Sequence, residues 1–177
     1  MNRLVGWLKA LYFTLLSANK VAKIRGVTYG KRCQLRTKKF GSEPYLISIG
    51  DDFKTAGEVQ FVTHDGAVHV LRNLYPEYHN IDSFGKITIG DNVFVGYGAI
   101  IMPNTMIGDN VIVGAGSIVK GTLESNSVYA GVPVRRICSL DAYVKRHKDN
   151  FVPTKGLNIQ EKRTHLEEKF TRIEKGL

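Results

Sequence analysis

Five histidines carry the near-neutral proton chemistry open to this 177-residue chain: His64, His69, His79, His147 and His165. An imidazole titrates close to neutral pH. It can take a proton from a hydroxyl or amine as that group attacks, and return it to a departing group. His147 and His165 fall in charged stretches that read as helices, where a solvated face accounts for them. His69 and His79 lie in GAVHVLRNLYPEYHNIDSFG, and His64 sits just before it in FVTHDG. A carboxylate on the second ring nitrogen would fix the tautomer. Asp65 adjoins His64, and Asp82 returns near it at the end of that stretch. A histidine that merely closes a turn is the alternative for His64. His64 and His69 also form H-x4-H, which would serve a metal only with a third ligand.

The element that must position these residues is a repeat. IGDN occurs at 89–92 and again eighteen residues later at 107–110, followed by VGYG and VGAG. Ile89, Val95, Ile101, Ile107, Val113 and Val119 step by six without a miss. All are β-branched, as a stacked interior ladder requires. Three positions after each come Asn92, Gly98, Asn104, Asn110, Gly116 and Thr122. Asn and Gly tolerate positive φ, so a tight corner recurs every six residues. The next column, Val93, Ala99, Thr105, Val111, Ser117 and Leu123, supplies a second inward site. Three strand-and-corner units close one turn of eighteen residues. The spacing predicts an all-β solenoid, a three-sided parallel β-helix with helical appendages.

Upstream, Ile49, Thr55 and Phe61 keep the step, and Tyr29 and Leu35 indicate a ragged earlier coil. From Phe61 to Ile89 is not a multiple of six, so a loop leaves the coil between about residues 65 and 86. Long loops in compact domains often carry function.

Residues 1–42 carry ten Lys/Arg and no Asp/Glu, whereas residues 43–134 carry four against ten. The basic ends suit phosphate-bearing ligands or an anionic membrane surface. No nucleic-acid motif is present, and nucleic acid is not expected as a partner. Residues 1–25 read as one amphipathic helix. Its apolar face includes Leu4, Leu8, Leu11, Tyr12, Leu15 and Leu16, with Phe13 the exception. It is too short and too polar to span a bilayer. It packs on protein or contacts a membrane peripherally. The domain organisation expected is 1–25 basic helix, 26–137 β-helix, 138–177 helical cap. The cap holds helices near 139–149, capped by Ser139 or Asp141, and 158–172. Cys33 and Cys138 read as reduced, buried thiols.

The hexapeptide columns, THDG at 63–66 and AGVPVRRI at 130–137 resemble the left-handed β-helix acyltransferases. Within that family the chain resembles the capsular-polysaccharide and lipopolysaccharide O-acetyltransferases. The resemblance implies a left-handed coil, a homotrimer with active sites between subunits, acetyl-CoA as donor and a carbohydrate acceptor. It implies His64 as general base; of the two carboxylates that could orient it, Asp65 is preferred over Asp82. Gly96, Gly98, Gly114 and Gly116 would leave a smooth lane for CoA, if they are not there for corner geometry alone. Ser117, Lys120, Pro133, Arg135 and Arg136 would contact its pantetheine or phosphates. Arg135 replaces the family's usual lysine and keeps the charge. The expected activity is acetyl transfer to a hydroxyl of a surface-polysaccharide sugar or its precursor, in the cytoplasm or at the membrane's inner face. N-acylation of an amino-sugar nucleotide or a small acceptor is the enzymatic alternative. A γ-carbonic-anhydrase-like zinc protein and an inactive scaffold are the others. No metal is expected.

Overall fold

The computed structural model describes residues 12–174. One sheet stacks β1 (Thr28–Tyr29), β2 (Ile47–Ile49), β5 (Ile87–Ile89), β8 (Thr105–Ile107) and β11 (Thr122–Leu123). A second stacks β3 (Lys54–Thr55), β6 (Phe94–Val95), β9 (Val111–Val113), β12 (Ser127–Ala130) and β13 (Arg135–Ser139). A third stacks β4 (Gln60–Phe61), β7 (Ile100–Ile101) and β10 (Ile118–Val119). From β2 to β12 the chain visits the three sheets in turn, which makes a three-sided parallel coil. Ile89 pairs with Ile107, Val95 with Val113 and Ile101 with Val119, so each partner lies eighteen residues on.

The columns read from the sequence point as their chemistry demands. Ile89, Val95, Ile101, Ile107, Val113 and Val119 are all buried, and so are Val93, Ala99, Thr105, Val111, Ser117 and Leu123. Each large apolar side chain in this ladder is worth about 1.5–3 kcal/mol relative to exposure. Asn92, Asn104 and Asn110 take positive φ, as do Gly98 and Gly116. Thr122 does not. In the last coil Leu123 stacks under Ile107, a step of sixteen, and Gly121 takes the positive φ instead.

Polar ladders tie the coils on one corner. The backbone N–H of Asp51 donates to Asp91 Oδ1 at 2.7 Å, and that of Asp91 to Asp109 Oδ1 at 2.8 Å. Beside them Asn92 Nδ2 donates to Asn110 Oδ1, and Asn110 Nδ2 to Asn126 Oδ1. Each bond repeats between consecutive coils, so the ladder holds the stacking in register.

The earlier coil is ragged, as expected. Tyr29 pairs with Ile49, Gln34 with Lys54 and Lys39 with Gln60. Its corners carry Arg32, then Asp52 and Glu58 in the next coil, all at positive φ. Arg32 Nε donates to Asp52 Oδ1 at 2.6 Å. That bond is the main cause holding the Asp52 carboxyl below its usual range.

The single amphipathic helix expected over 1–25 is corrected within the described residues; residues 1–11 lie outside them. Helix at 12–15 ends at Leu16, and a separate α1 (Ala18–Ile24) begins with Ser17 as its cap. Ser17 breaks the run because its hydroxyl accepts from the Lys20 N–H. The burial differs too. Leu15 is 80% exposed, while Phe13 and Leu16 pack against the core. α1 buries Val21 and Ala22. No helix among the described residues is long and apolar enough to cross a membrane.

The loop contains α2 (Val68–Leu74) and a 3-10 turn at Pro76–Tyr78. Its ends are zipped together at the coil. Asp65 N–H donates to Ser83 O, Gly85 N–H to Thr63 O, and His64 and Phe84 form an antiparallel bridge.

β13 runs antiparallel to β12 and crosses the boundary expected at 137/138. α3 (Leu140–His147) follows, with Ser139 Oγ accepting from Ala142 N–H as its cap. Compact units divide at Tyr143/Val144. The second contains α4 (Ile159–Glu174), opened by a reciprocal cap between Asn158 and Glu161. Cys33 and Cys138 are free but half-buried, less enclosed than the buried thiols expected.

Candidate active site

His64 stands at the corner after β4, where the loop departs. Thr63, one residue earlier, is fully buried, and its hydroxyl donates to Glu43 Oε2 at 3.0 Å. That anchor and the antiparallel bridge to Phe84 fix the backbone on both sides of the histidine. The Phe84 ring lies 4.7 Å from the imidazole, centroid to centroid.

Asp82 Oδ1 is 3.6 Å from His64 Nε2 and 3.3 Å from Arg72 Nη2. Among the described residues, His64 Nε2 and Arg72 Nε are the buried side-chain polar atoms without a hydrogen-bond partner. Leaving such atoms unpaired costs about 1–3 kcal/mol each. That the two side chains converge on one carboxylate oxygen marks this place as built for more than packing. The His64 side chain is 32% exposed, so its exposed part lies away from the covered Nε2.

Asp65, the adjacent carboxylate, turns elsewhere. Its Oδ1 accepts from Ala67 N–H at 3.0 Å and so supports the start of α2. His79 Nδ1 contacts Pro76 O, and His69 Nε2 contacts Asn73. Among the described residues no group of three or more His, Cys, Asp or Glu side chains could hold a metal ion. Sequence reasoning missed Arg72 and Glu43. The signal for Arg72 was its place in the loop that His64 opens. Nothing in the spacing marked Glu43.

The expected CoA residues divide. Gly98 and Gly116 take positive φ and have open space where a Cβ would stand. They stack on the corner after β6 and β9. Gly96 and Gly114 face the next coil instead: a Cβ on Gly96 would come within 2.5 Å of Ala115 N, and one on Gly114 within 2.8 Å of the Ala130 Cβ. These two glycines serve coil stacking rather than an open surface. Ser117 is corrected as a ligand contact. It belongs to the second inward column and is fully buried, its hydroxyl donating to Gly114 O and accepting from Gly131 N–H. Lys120, Pro133 and Arg135 are exposed. Arg136 is exposed too, but its Nε donates to Ser127 Oγ, which ties it to β12.

The histidine corner follows the third sheet, while the open glycine corner follows the second. A single chain therefore places the His64–Asp82 pair and the open glycines on different corners of the triangle.

Comparison with known proteins agrees with the coil. The bacterial transferase hexapeptide (six repeats) family matches residues 86–121. Protein CapG of Staphylococcus aureus is 46% identical over 158 residues, covering 88% of this chain and 90% of that protein. Among solved structures, a galactoside acetyltransferase in complex with coenzyme A is 27% identical over 67% of each chain, with a TM-score of 0.50. A hexapeptide-repeat acetyltransferase of Vibrio cholerae O1 biovar eltor, complexed with acetyl coenzyme A, shares the fold. It covers 65% of this chain and 61% of that one, at a TM-score of 0.57 and 22% identity. The stacked coil, its six-residue columns and the extent of the match to Protein CapG together show that this chain belongs to the bacterial hexapeptide-repeat transferases.

Proposed function

We propose that the chain is an acetyl-CoA-dependent O-acetyltransferase whose acceptor is a hydroxyl of a surface-polysaccharide sugar or its precursor. The observation that carries this reading is the His64–Asp82 pair, set at the mouth of the loop on a coil like that of the galactoside acetyltransferase bound to coenzyme A. The coil is then left-handed, as the family resemblance implies.

In this mechanism Asp82 faces Nε2 and favours the tautomer protonated there, which leaves Nδ1 to accept a proton. The acceptor hydroxyl gives its proton to His64 as its oxygen attacks the thioester carbonyl. The C–S bond then breaks, and His64 returns the proton to the departing thiolate. Acetyl passes directly to the sugar without a covalent enzyme intermediate.

CoA would lie along the Gly98–Gly116 corner, where no side chain obstructs it. Lys120 and Arg135 would supply positive charge to its phosphates. Because that corner and His64 lie on different sides of one coil, a neighbouring copy supplies one half of each site. A homotrimer with three intersubunit sites satisfies that need. The setting is cytoplasmic, where acetyl-CoA is available.

The test is acetyl-CoA turnover against a panel of sugar nucleotides and polysaccharides, with H64A in parallel. Transfer by the wild type and its loss in H64A is the expected result. Undiminished transfer by H64A overturns the base assignment. Failure to bind CoA overturns the whole reading.

A further inference from the structure

We infer that Arg72 is a positioning residue for proton transfer, acting through Asp82 to hold the carboxylate where His64 needs it. The inference rests on the acetyltransferase reading above and adds a residue to it. Asp82 lies in an irregular stretch between the 3-10 turn and the neck of the loop, and it is 46% exposed. Nothing in its own backbone fixes its side chain. The same Oδ1 that faces His64 Nε2 is 3.3 Å from Arg72 Nη2.

Arg72 comes from the last turn of α2, on the outward limb of the loop, whereas Asp82 is on the returning limb. The pair therefore braces the loop across its width at the level of the histidine. The guanidinium is planar and carries its donors in a fixed fork, so it sets an orientation as well as a charge. Its Nε is buried and unpaired like the imidazole Nε2. The imidazole Nε2 and the guanidinium Nη2 flank one carboxylate oxygen at 3.6 and 3.3 Å, longer than a tight hydrogen bond, which is the arrangement expected of a loop that tightens when substrate arrives.

The experiment compares R72M, R72K, D82N and the R72M/D82N double variant in acetyl transfer, with thermal melting followed by circular dichroism. R72M is expected to lose kcat on the order of 10- to 100-fold, as for a catalytic group displaced by about an ångström. KM for acetyl-CoA stays within about twofold, since Arg72 does not touch the donor lane. R72K recovers part of kcat, because charge returns without the fork. The double variant is no slower than D82N, because both changes remove one interaction.

Full kcat in R72M overturns the inference. So does a double variant in which the two losses multiply, or a loss of kcat that only follows a fall in melting temperature. Should R72M fail to fold, R72Q takes its place with the same expectations. No transfer by the wild type overturns the function and the inference together. Transfer by the wild type with unchanged R72M overturns the inference alone.

Discussion

Asp82 Oδ1 approaches His64 Nε2 to 3.6 Å, while the carboxylate of Asp65, adjacent in sequence, points to the Ala67 amide. Neighbouring side chains on an extended segment diverge, and only a returning chain can bring a carboxylate back across the imidazole. D82N is therefore expected to cut turnover on the order of 10- to 1000-fold, since a mis-set tautomer disables the base. D65N is expected to change kcat by less than about threefold and to loosen the start of α2. Parallel kinetics and hydrogen exchange over residues 65–74 check both, and an equal loss in the two variants would refute the assignment.

The hydroxyl of Ser117 joins the last coils. It accepts from Gly131 N–H at 3.1 Å and donates to Gly114 O at 2.7 Å. S117A is expected to destabilise the fold by about 1–3 kcal/mol, because two hydrogen bonds between the last coils are lost. Urea denaturation measures this; unchanged stability would mean that water or the backbone replaces the hydroxyl.

At the Asn110 corner two requirements meet. Its φ is 55°, and its side chain both accepts from Asn92 and donates to Asn126. N110A is expected to cost about 2–3 kcal/mol, from left-handed strain and two lost hydrogen bonds. N110G removes the bonds without the strain and is expected to cost less. A reversed order in chemical denaturation would show that the left-handed corner imposes no strain on alanine.

The Cys33 thiol donates to Gly50 O, and burial pushes its pKa up. Its folded pKa is raised, so its stabilising contribution is full at neutral pH. That contribution falls as the pH rises past the ordinary thiol range, where the unfolded chain ionises first. Alkylation of native protein at pH 8 is expected to be slow at this site and fast after denaturation. C33S is expected to show a shallower loss of stability between pH 8 and 10. Equal slopes in the two proteins would contradict the shift.

The coil from Ile89 to Val119 was legible because each column admits few residue types. Inward sites must be apolar or small, and corners must tolerate positive φ. Upstream the same geometry is carried by Arg32, Asp52 and Glu58. The repeat read as weaker upstream, and as ragged at the coil of Tyr29 and Leu35, because Arg32 and Glu58 carry no corner signal. Their left-handed corners are held by contacts between coils, as Arg32 holds Asp52 and Lys39 holds Glu58. His64 was named from the family resemblance at the break in the coil, and Asp65 and Asp82 were its two candidate carboxylates; which of them faces the imidazole depended on where a loop returns, which no local pattern encodes. The break at Ser17 was readable as a cap and was masked by the apolar residues around it.

The neck at His64 and Phe84 has a further consequence. Ile49 pairs with Ile89, Lys54 with Phe94 and Phe61 with Ile101, each partner forty residues on. The loop thus adds twenty-two residues to an eighteen-residue turn without shifting any of the three sheets by a single rung. A change in loop length or composition leaves the registers of the coil untouched. The loop can therefore vary in sequence while the coil keeps its own, separate constraints.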